Sequence, residues 1–382
     1  MAERVTIQDI ADALGVSRNT VSKAINNTGV LAEATRERVL RKAVEMGYKQ
    51  FSYVSLPPSY QSAANAPDGN SVPAAARLSV SLPELKDVNP RKTGVISLLT
   101  TQNLGNSHFS STMLDRFQRG LTEAGYSFMI HRVTEDNLSH MELPSSFRPE
   151  MNDGILCIEM FDPDYSEMIC SLGIPTLFVD AAAVYFGKKL PSDILLMDNR
   201  TEIQTFIQEM IRQGYTRFGF IGETGHCISF YERFAAMREV LFRAGLPYEP
   251  SFTISSYKEI VRYPDSKTYQ DYLTDALKKI PQIPEVFICA NDFVAMDAII
   301  ACRNLGIRVP EDVMLCGFDD SPESRVMLPT LTSIHIHSQI MGHSAVSLLL
   351  SRIREPSLNY RTAYTETSLI YRDSTKKQAE ED

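Results

Sequence analysis

Apolar positions near the start of the chain recur with the period of a helix. Ile7, Ile10, Ala11 and Leu14 fall at i, i+3, i+4 and i+7, so they share one face of a predicted helix. Thr6 is placed to cap that helix, and Asp9 completes a short acidic variant of the capping box. Gly15 gives the backbone the freedom a sharp turn needs, and Ser17 is suited to cap a second helix. There Val21, Ala24 and Ile25 face inward, which leaves Arg18, Asn19, Ser22, Lys23 and Asn26 pointing out. A third helix is predicted from about Thr35 to Met46, with Val39, Leu40, Ala43 and Val44 inside and Gly47 beyond its end. Two short helices about a glycine turn form a helix-turn-helix, a device that sets one helix into the DNA major groove. Arg18 suits a guanine edge and Asn19 an adenine edge, while Lys23 suits a base or a phosphate. Thr6, Ser17, Thr20, Ser22 and Asn26 complete the candidate DNA-contact set. The plainer alternative is a small helical bundle with a solvated face.

From Lys49 to Arg91 the helical pattern fails. Pro57-Pro58, the stretch from Ser59 to Asn70 and Val72-Pro73-Ala74 read as a linker rich in Pro, Ser and Ala, placed at 50–91. Beyond it, short apolar runs alternate with helical patterns of 10 to 15 residues. Strands are predicted at 93–99, 127–131, 154–158, 176–179, 218–222, 286–290 and 313–317. Such alternation implies parallel sheets with helices on both faces, and ligands in such sheets bind beyond the C-terminal ends of the strands. Gly219, Gly222 and Gly225 lack the spacing of a dinucleotide fingerprint and read as strand and turn glycines.

Charge changes the picture of the first fifty residues. The net charge of the 382-residue chain is -9, yet residues 1–49 hold 8 Lys and Arg against 6 Asp and Glu. The remainder holds 30 against 41, so DNA binding is expected of the headpiece alone. No apolar run approaches the ~20 residues that span a bilayer. The opening Ala2-Glu3-Arg4 enters a helix without a signal-peptide pattern, so a cytoplasmic protein is expected and a periplasmic one disfavoured. Cys157, Cys170, Cys227, Cys289, Cys302 and Cys316 are scattered without a CxxC pair and read as reduced core residues. No HExxH occurs. His335 and His337 would share a strand face, a weak hint of a two-histidine metal site, and neither a metal nor another cofactor is expected.

Thr6-Ile7 through Asn27, followed by Thr35-Arg36-Glu37-Arg38-Val39-Leu40 and Gly47-Tyr48, resembles the headpiece of LacI/GalR-type bacterial repressors. The resemblance implies that Arg18 and Asn19 are the base-reading pair and sets Lys23 at the basic position of a "TVSR" pattern. Ala32 stands where the family usually has a serine cap on the third helix, a loss of about 1 kcal/mol of helix stability. The family's hinge helix, with its "A-x-x-L" pattern and minor-groove leucine, is missing at the usual distance. Ala74-Ala75-Ala76-Arg77-Leu78 is either a displaced counterpart or a chance helix, which leaves minor-groove kinking open. Further landmarks are Asp198-Asn199, Gly214 to Gly222, Asn291-Asp292, Gly306 to Val313, Gly317-Phe318-Asp319-Asp320 and Pro329 to Ile334. With them the resemblance covers most of residues 5–372 outside the linker.

What the resemblance implies is a multidomain chain. An all-α headpiece (1–49) precedes a periplasmic-binding-protein-like α/β effector domain (92–374) of two doubly wound subdomains joined by three crossovers, with a charged tail at 375–382. The first subdomain is expected at about 92–191 and 333–355, the second at about 192–328 and 360–374. Asp180, Asn291 and Asp319 follow strand ends and are candidate effector contacts. Arg233 matches an "R-x-x-G" pattern whose Gly is Ala236 here; Phe109 falls where the family has an aromatic lid, and Tyr257 is a further candidate. Each has a plain alternative: Asn291 or Asp292 as a helix cap, Asp319 and Asp320 as turn formers, Arg233 as a solvated residue beside Glu232. The expected function is a homodimeric, effector-controlled DNA-binding repressor and not an enzyme, with a sugar as first ligand and a purine or nucleoside as second. Its rivals are a regulator whose degenerate cleft works through a protein partner, and a doubly wound enzyme acting on a sugar or nucleotide.

Overall fold

The computed structural model describes residues 6–25, positions 35, 38, 39, 42, 43 and 46, and residues 94–101, 108–183, 189–255 and 266–375. The chain divides into two units, Met1–Glu84 and Leu85–Asp382.

In the first unit, α1 (Ile7–Leu14) and α2 (Arg18–Ile25) flank a turn at Gly15, whose φ of 62° is left-handed and favours glycine. The capping box forms: the Asp9 backbone N–H donates to Thr6 Oγ1 at 3.3 Å, and the Thr6 N–H donates to Asp9 Oδ2 at 2.7 Å. The Thr6 N–H, and the Thr6 hydroxyl that donates to the same oxygen at 2.7 Å, hold the Asp9 carboxyl below its ordinary value. Ser17 Oγ accepts the Thr20 N–H at 3.1 Å, so it caps α2. Ile10, Ala11, Val21 and Ala24 are buried together with Val39 and Ala43, which lie on helical positions of the third segment. The linker, the 375–382 tail beyond Thr375, Asn26, Ala32 and the Ala74–Leu78 segment lie outside the described residues.

The second unit is built on two six-stranded sheets. The first runs in the order β11-β5-β4-β3-β1-β2 from Thr362–Thr365 (β11), Asp193–Met197 (β5), Thr176–Val179 (β4), Gly154–Ile158 (β3), Gly94–Thr100 (β1) and Tyr126–Arg132 (β2), all parallel. The second runs β12-β10-β9-β8-β6-β7, from Thr367–Ile370 (β12), Thr332–Ile336 (β10), Met314–Asp319 (β9), Val286–Cys289 (β8), Phe218–Ile221 (β6) and Thr253–Ile254 (β7). Only β12 is antiparallel among these described strands. Central strands such as β3 and β4 are buried throughout, as parallel strands covered on both faces must be. Helix Thr201–Arg212 follows β5 across the crossover and packs on Ile228–Arg243 in the second lobe, where Ile228–Arg243, Ser266–Lys278 and Asp292–Asn304 follow β6, β7 and β8, while His108–Glu123 and Ser338–Arg354 pack together in the first.

Pairing redraws the expected subdomain boundaries. Asp193–Met197 and Thr362–Thr365, expected in the second subdomain, pair with each other in the first sheet. Thr332–Ile336, expected largely in the first, lies in the second beside β9. The chain therefore crosses between lobes after Met197, at His337 and at Glu366. Asp193 explains part of this. Its buried carboxylate accepts from Arg352 Nη2 at 2.8 Å and Arg361 Nη2 at 2.7 Å, which ties β5 to the helix and strand that return from the second lobe. Among the glycines, Gly222 ends β6 with φ of 146°, and an added Cβ would meet the Ala290 Cβ at 2.2 Å.

Candidate functional site

A cavity of about 200 Å³ opens between the C-terminal ends of the two sheets. From the first sheet it is lined by Glu159 after β3, Asp180 after β4 and Met197 at the end of β5, with Phe161 nearby. From the second come Asn291 after β8 and Asp319 at the end of β9, with His226, Ser229, Phe230 and Arg233 on and before the Ile228–Arg243 helix. Parallel strands ending together make this crevice, so the rule that selects strand ends from sequence finds its main residues.

Arg233 is 2% exposed, so the reading of it as a solvated helix residue fails. Its Nε donates to Asn199 Oδ1 at 3.0 Å and its Nη1 to the Ala290 carbonyl at 2.6 Å. The guanidinium lies 3.4 Å over the Phe318 ring. Asn199, 0% exposed in the crossover after β5, donates to Ser229 Oγ at 3.2 Å and Glu232 Oε2 at 2.9 Å. Glu232 in turn accepts the Tyr364 hydroxyl of β11 at 2.9 Å. One buried amide thus joins Arg233 to the crossover and, through Glu232, to the first sheet.

The acids are held differently. Asp180 Oδ1 accepts the backbone N–H of Ala181 at 2.8 Å and of Ser229 at 3.3 Å. Burial nonetheless raises its proton affinity above the ordinary value. The Glu159 and Asp319 carboxyls have no hydrogen-bond partner among the described residues. Burial first, then the Asp180 charge, push Glu159 up to about 7. Burial pushes Asp319 up to about 8 against the opposing pull of Arg233. Glu159, Asp180 and Asp319 all have positive φ, at 56°, 59° and 111°. Such backbone costs about 1–3 kcal/mol per residue and concentrates at binding sites.

Asn291 Oδ1 accepts the Val294 N–H at 3.0 Å, so it caps the Asp292–Asn304 helix while lining the cavity. Asp292 and Asp320 are not among the described residues that line the cavity. Asp292 accepts from Ser333 Oγ at 2.6 Å and the Ser321 N–H at 2.7 Å. Asp320 holds Arg325, Arg372 and His335 Nδ1. His335 and His337 face one another at 5.0 Å, but each ring also bonds elsewhere, to Asp320 and to Ser368 Oγ. The groups with nucleophilic potential are quenched. Ser229 Oγ donates to Met197 Sδ at 3.3 Å, and burial with the adjacent Asp180 charge raises the Cys227 thiol well above its ordinary value. The cavity is equipped to hold a polar ligand, with a ring cluster of Phe161, His226 and Phe230 at one side.

Of the expected effector residues, Asp180, Arg233, Asn291 and Asp319 meet at this cavity. The Phe109 side chain and Tyr257 lie outside the described residues. Glu159, Phe161, His226 and Phe230 were not singled out from sequence, although Glu159 follows a strand as Asp180 does. In the headpiece Thr6, Ser17, Arg18 and Asn19 are exposed, and Thr20, Ser22 and Lys23 are partly buried.

Residues 6–50 match the family model described as bacterial regulatory proteins, lacI family, and residues 207–375 match a periplasmic binding protein-like domain. The chain is 27% identical to the transcriptional regulator CelR of Thermobifida fusca, over 97% of this chain and 98% of that protein. It is 24% identical to the repressor PurR of Aliivibrio salmonicida and 22% identical to the ribose operon repressor of Haemophilus influenzae, each over 97% of this chain. The fold is shared with a CelR–cellobiose complex (TM-score 0.64, 23% identity, 97% of this chain and 100% of that one). It is shared also with a lac repressor dimer bound to operator and an anti-inducer (TM-score 0.59, 18% identity, 98% and 99%).

Proposed function

Since this chain belongs to the LacI family of bacterial regulatory proteins, we propose that it is a DNA-binding transcriptional repressor controlled by a small molecule in the cleft of its second unit. It acts as a homodimer, each headpiece reading one half of a near-palindromic operator. Arg18 and Asn19 contact bases, and Thr6, Ser17, Thr20, Ser22, Lys23 and Asn26 contact bases or phosphates. Asp180, Arg233, Asn291 and Asp319 bind the effector, a sugar or sugar derivative. The observation that carries this reading is the convergence of acids, an amide and a buried arginine from both lobes on one cavity. Polar groups so gathered suit a ligand with several hydroxyls, because each buried polar group needs a partner. A related regulator's structure contains cellobiose, and another contains operator.

The ligand bridges the two lobes and shifts their closure, and Arg233 passes the change to Asn199 in the crossover. Coupling of this kind is worth about 1–3 kcal/mol between sites. The test begins by selecting duplexes from a randomised pool with the full-length protein. Arg18→Ala should relax the preference at one position, at a cost of ~1–3 kcal/mol. A thermal-shift screen of sugars and nucleosides then finds the ligand, and Asp319→Ala should abolish its effect while operator affinity is kept. Failure to retain any duplex at low ionic strength, with or without the metabolites screened, contradicts the reading.

A further inference from the structure

Among the described residues that line the cavity, carboxyl groups outnumber cationic side chains: Glu159, Asp180 and Asp319 bring three carboxyls to its wall, and Arg233 is the one arginine or lysine. Arg233 is already engaged by Asn199, the Ala290 carbonyl and the Phe318 ring. The Glu159 and Asp319 carboxyls have no hydrogen-bond partner among the described residues. Elsewhere in this unit the buried acids Asp193 and Asp320 each meet two arginines, and the buried Asp292 accepts from Ser333 and Ser321, so each of these has a hydrogen-bond partner that Glu159 and Asp319 lack. Both acids without a hydrogen-bond partner sit on left-handed backbone, at φ of 56° and 111°, a conformation that costs energy. The ring cluster of Phe161, His226 and Phe230 adds aromatic surface beside them, and the face of such a ring attracts a cation.

We propose that the effector carries a protonated amine as well as hydroxyl groups, an amino sugar in its simplest form, and that Glu159 with Asp319 receives the ammonium. This deepens the sugar-effector reading above and rests on it. An ammonium offers three donors, which the two carboxyls lack, and a positive charge in addition to that of Arg233. A neutral sugar would meet these carboxyls through hydrogen bonds alone and supply no charge that favours their ionised form. A sugar phosphate or carboxylate would oppose their ionisation further. Glu159 is then the specificity-determining residue, since Asp180, Arg233, Asn291 and Asp319 suffice for a polyol.

Binding also has a proton signature. In the empty cavity Glu159 and Asp319 retain protons near neutrality, because burial and their acidic neighbours disfavour charge. An arriving ammonium favours the ionised carboxyls, so protons leave as it binds. The same ligand without the amine lacks that effect.

The experiment uses the full-length protein and matched probes: glucosamine against glucose, galactosamine against galactose, and glucose 6-phosphate as the anionic arm. Calorimetry at pH 7 in two buffers of different ionisation enthalpy reads affinity and proton release together. At least one amine should bind ten times more tightly than its neutral partner and release protons, and the phosphate should be the weakest of its set. Glu159→Gln should cut that preference to threefold or less while retaining binding of the hydroxyl framework, and circular dichroism checks its fold. Equal binding within both pairs, preference for the neutral member in both, proton-neutral binding of the preferred amine, or no binding of either amine overturns the proposal. Operator selection by the headpiece is measured separately, so loss of this inference is distinguishable from loss of the regulator reading.

Discussion

The interiors of the two lobes and the cleft between them treat the same chemical group in opposite ways. In the first lobe Asp193 is fully buried and held by Arg352 and Arg361, which keep its carboxyl below the ordinary range despite the cost of burial. In the second, Asp320 is held by His335, Arg372 and Arg325, with the same result. Asp319, one residue earlier, has no such partner and is pushed up to about 8. Adjacent residues on one strand end thus sit on opposite sides of the ordinary carboxylate value. A buried charge with its partner built in is structure, whereas a half-buried acid left without one at a cavity wall is, in the function proposed above, capacity held for a ligand.

The contrast can be broken most forcefully in the first lobe. Asp193→Ala removes the acid that Arg352 and Arg361 share and leaves the nearly inaccessible Arg352 unpaired. Urea unfolding should register a loss of roughly 3–5 kcal/mol. A loss under about 1 kcal/mol would mean that the arginines are satisfied without it and that the interior acids are no better anchored than those of the cleft.

A smaller effect of opposite sign is expected at Asp319. Its native carboxyl keeps a proton to about pH 8, whereas the ordinary value is 3.8. Between those values the native state binds more protons than the unfolded chain, so this residue makes stability fall as pH rises, with the full penalty reached above pH 8. Asp319→Asn removes the penalty. The variant should outlast the parent at pH 8 by on the order of 1 kcal/mol, with the gap narrowing toward pH 5. Thermal unfolding across that range measures it, and a gap that widens toward acid pH would reverse the assignment.

The smallest effect marks the baseline. Lys278 meets Asp275 at 3.1 Å with both side chains exposed. Lys278→Ala should change stability by less than about 0.5 kcal/mol, an effect that 1 M salt erases. A larger loss would show that exposed pairs matter here as much as buried ones.

Much of this architecture was legible in the apolar pattern, and the reasons for what was missed are specific. Thr6, Asp9, Gly15 and Ser17 act locally, so their roles in the two caps and the turn follow from sequence spacing. Runs such as Gly154–Ile158 announce buried strands, but periodicity carries no information about which sheet a strand joins. That is why Asp193–Met197, Thr332–Ile336 and Thr362–Thr365 changed lobes once their pairing was known. At the cavity, Asp180, Asn291 and Asp319 were found by their place after strands. Glu159 obeys the same rule after β3 and was passed over because Ile158-Glu159-Met160 belongs to no motif. His226 and Phe230 lie four residues apart at the start of a helix, and Phe161, in a loop of the first lobe, meets them only where the lobes approach.

The neighbouring pair at the end of β9 offers the most direct measurement. Carboxyl carbon-13 NMR of Asp-labelled protein, assigned through Asp319→Asn and Asp320→Asn, follows both groups through a pH titration without ligand. Asp319 should titrate near 8, and Asp320 should remain ionised to below its ordinary value. Titration of both carboxyls together below pH 5 would contradict the division between acids built into the lobes and acids held for a ligand.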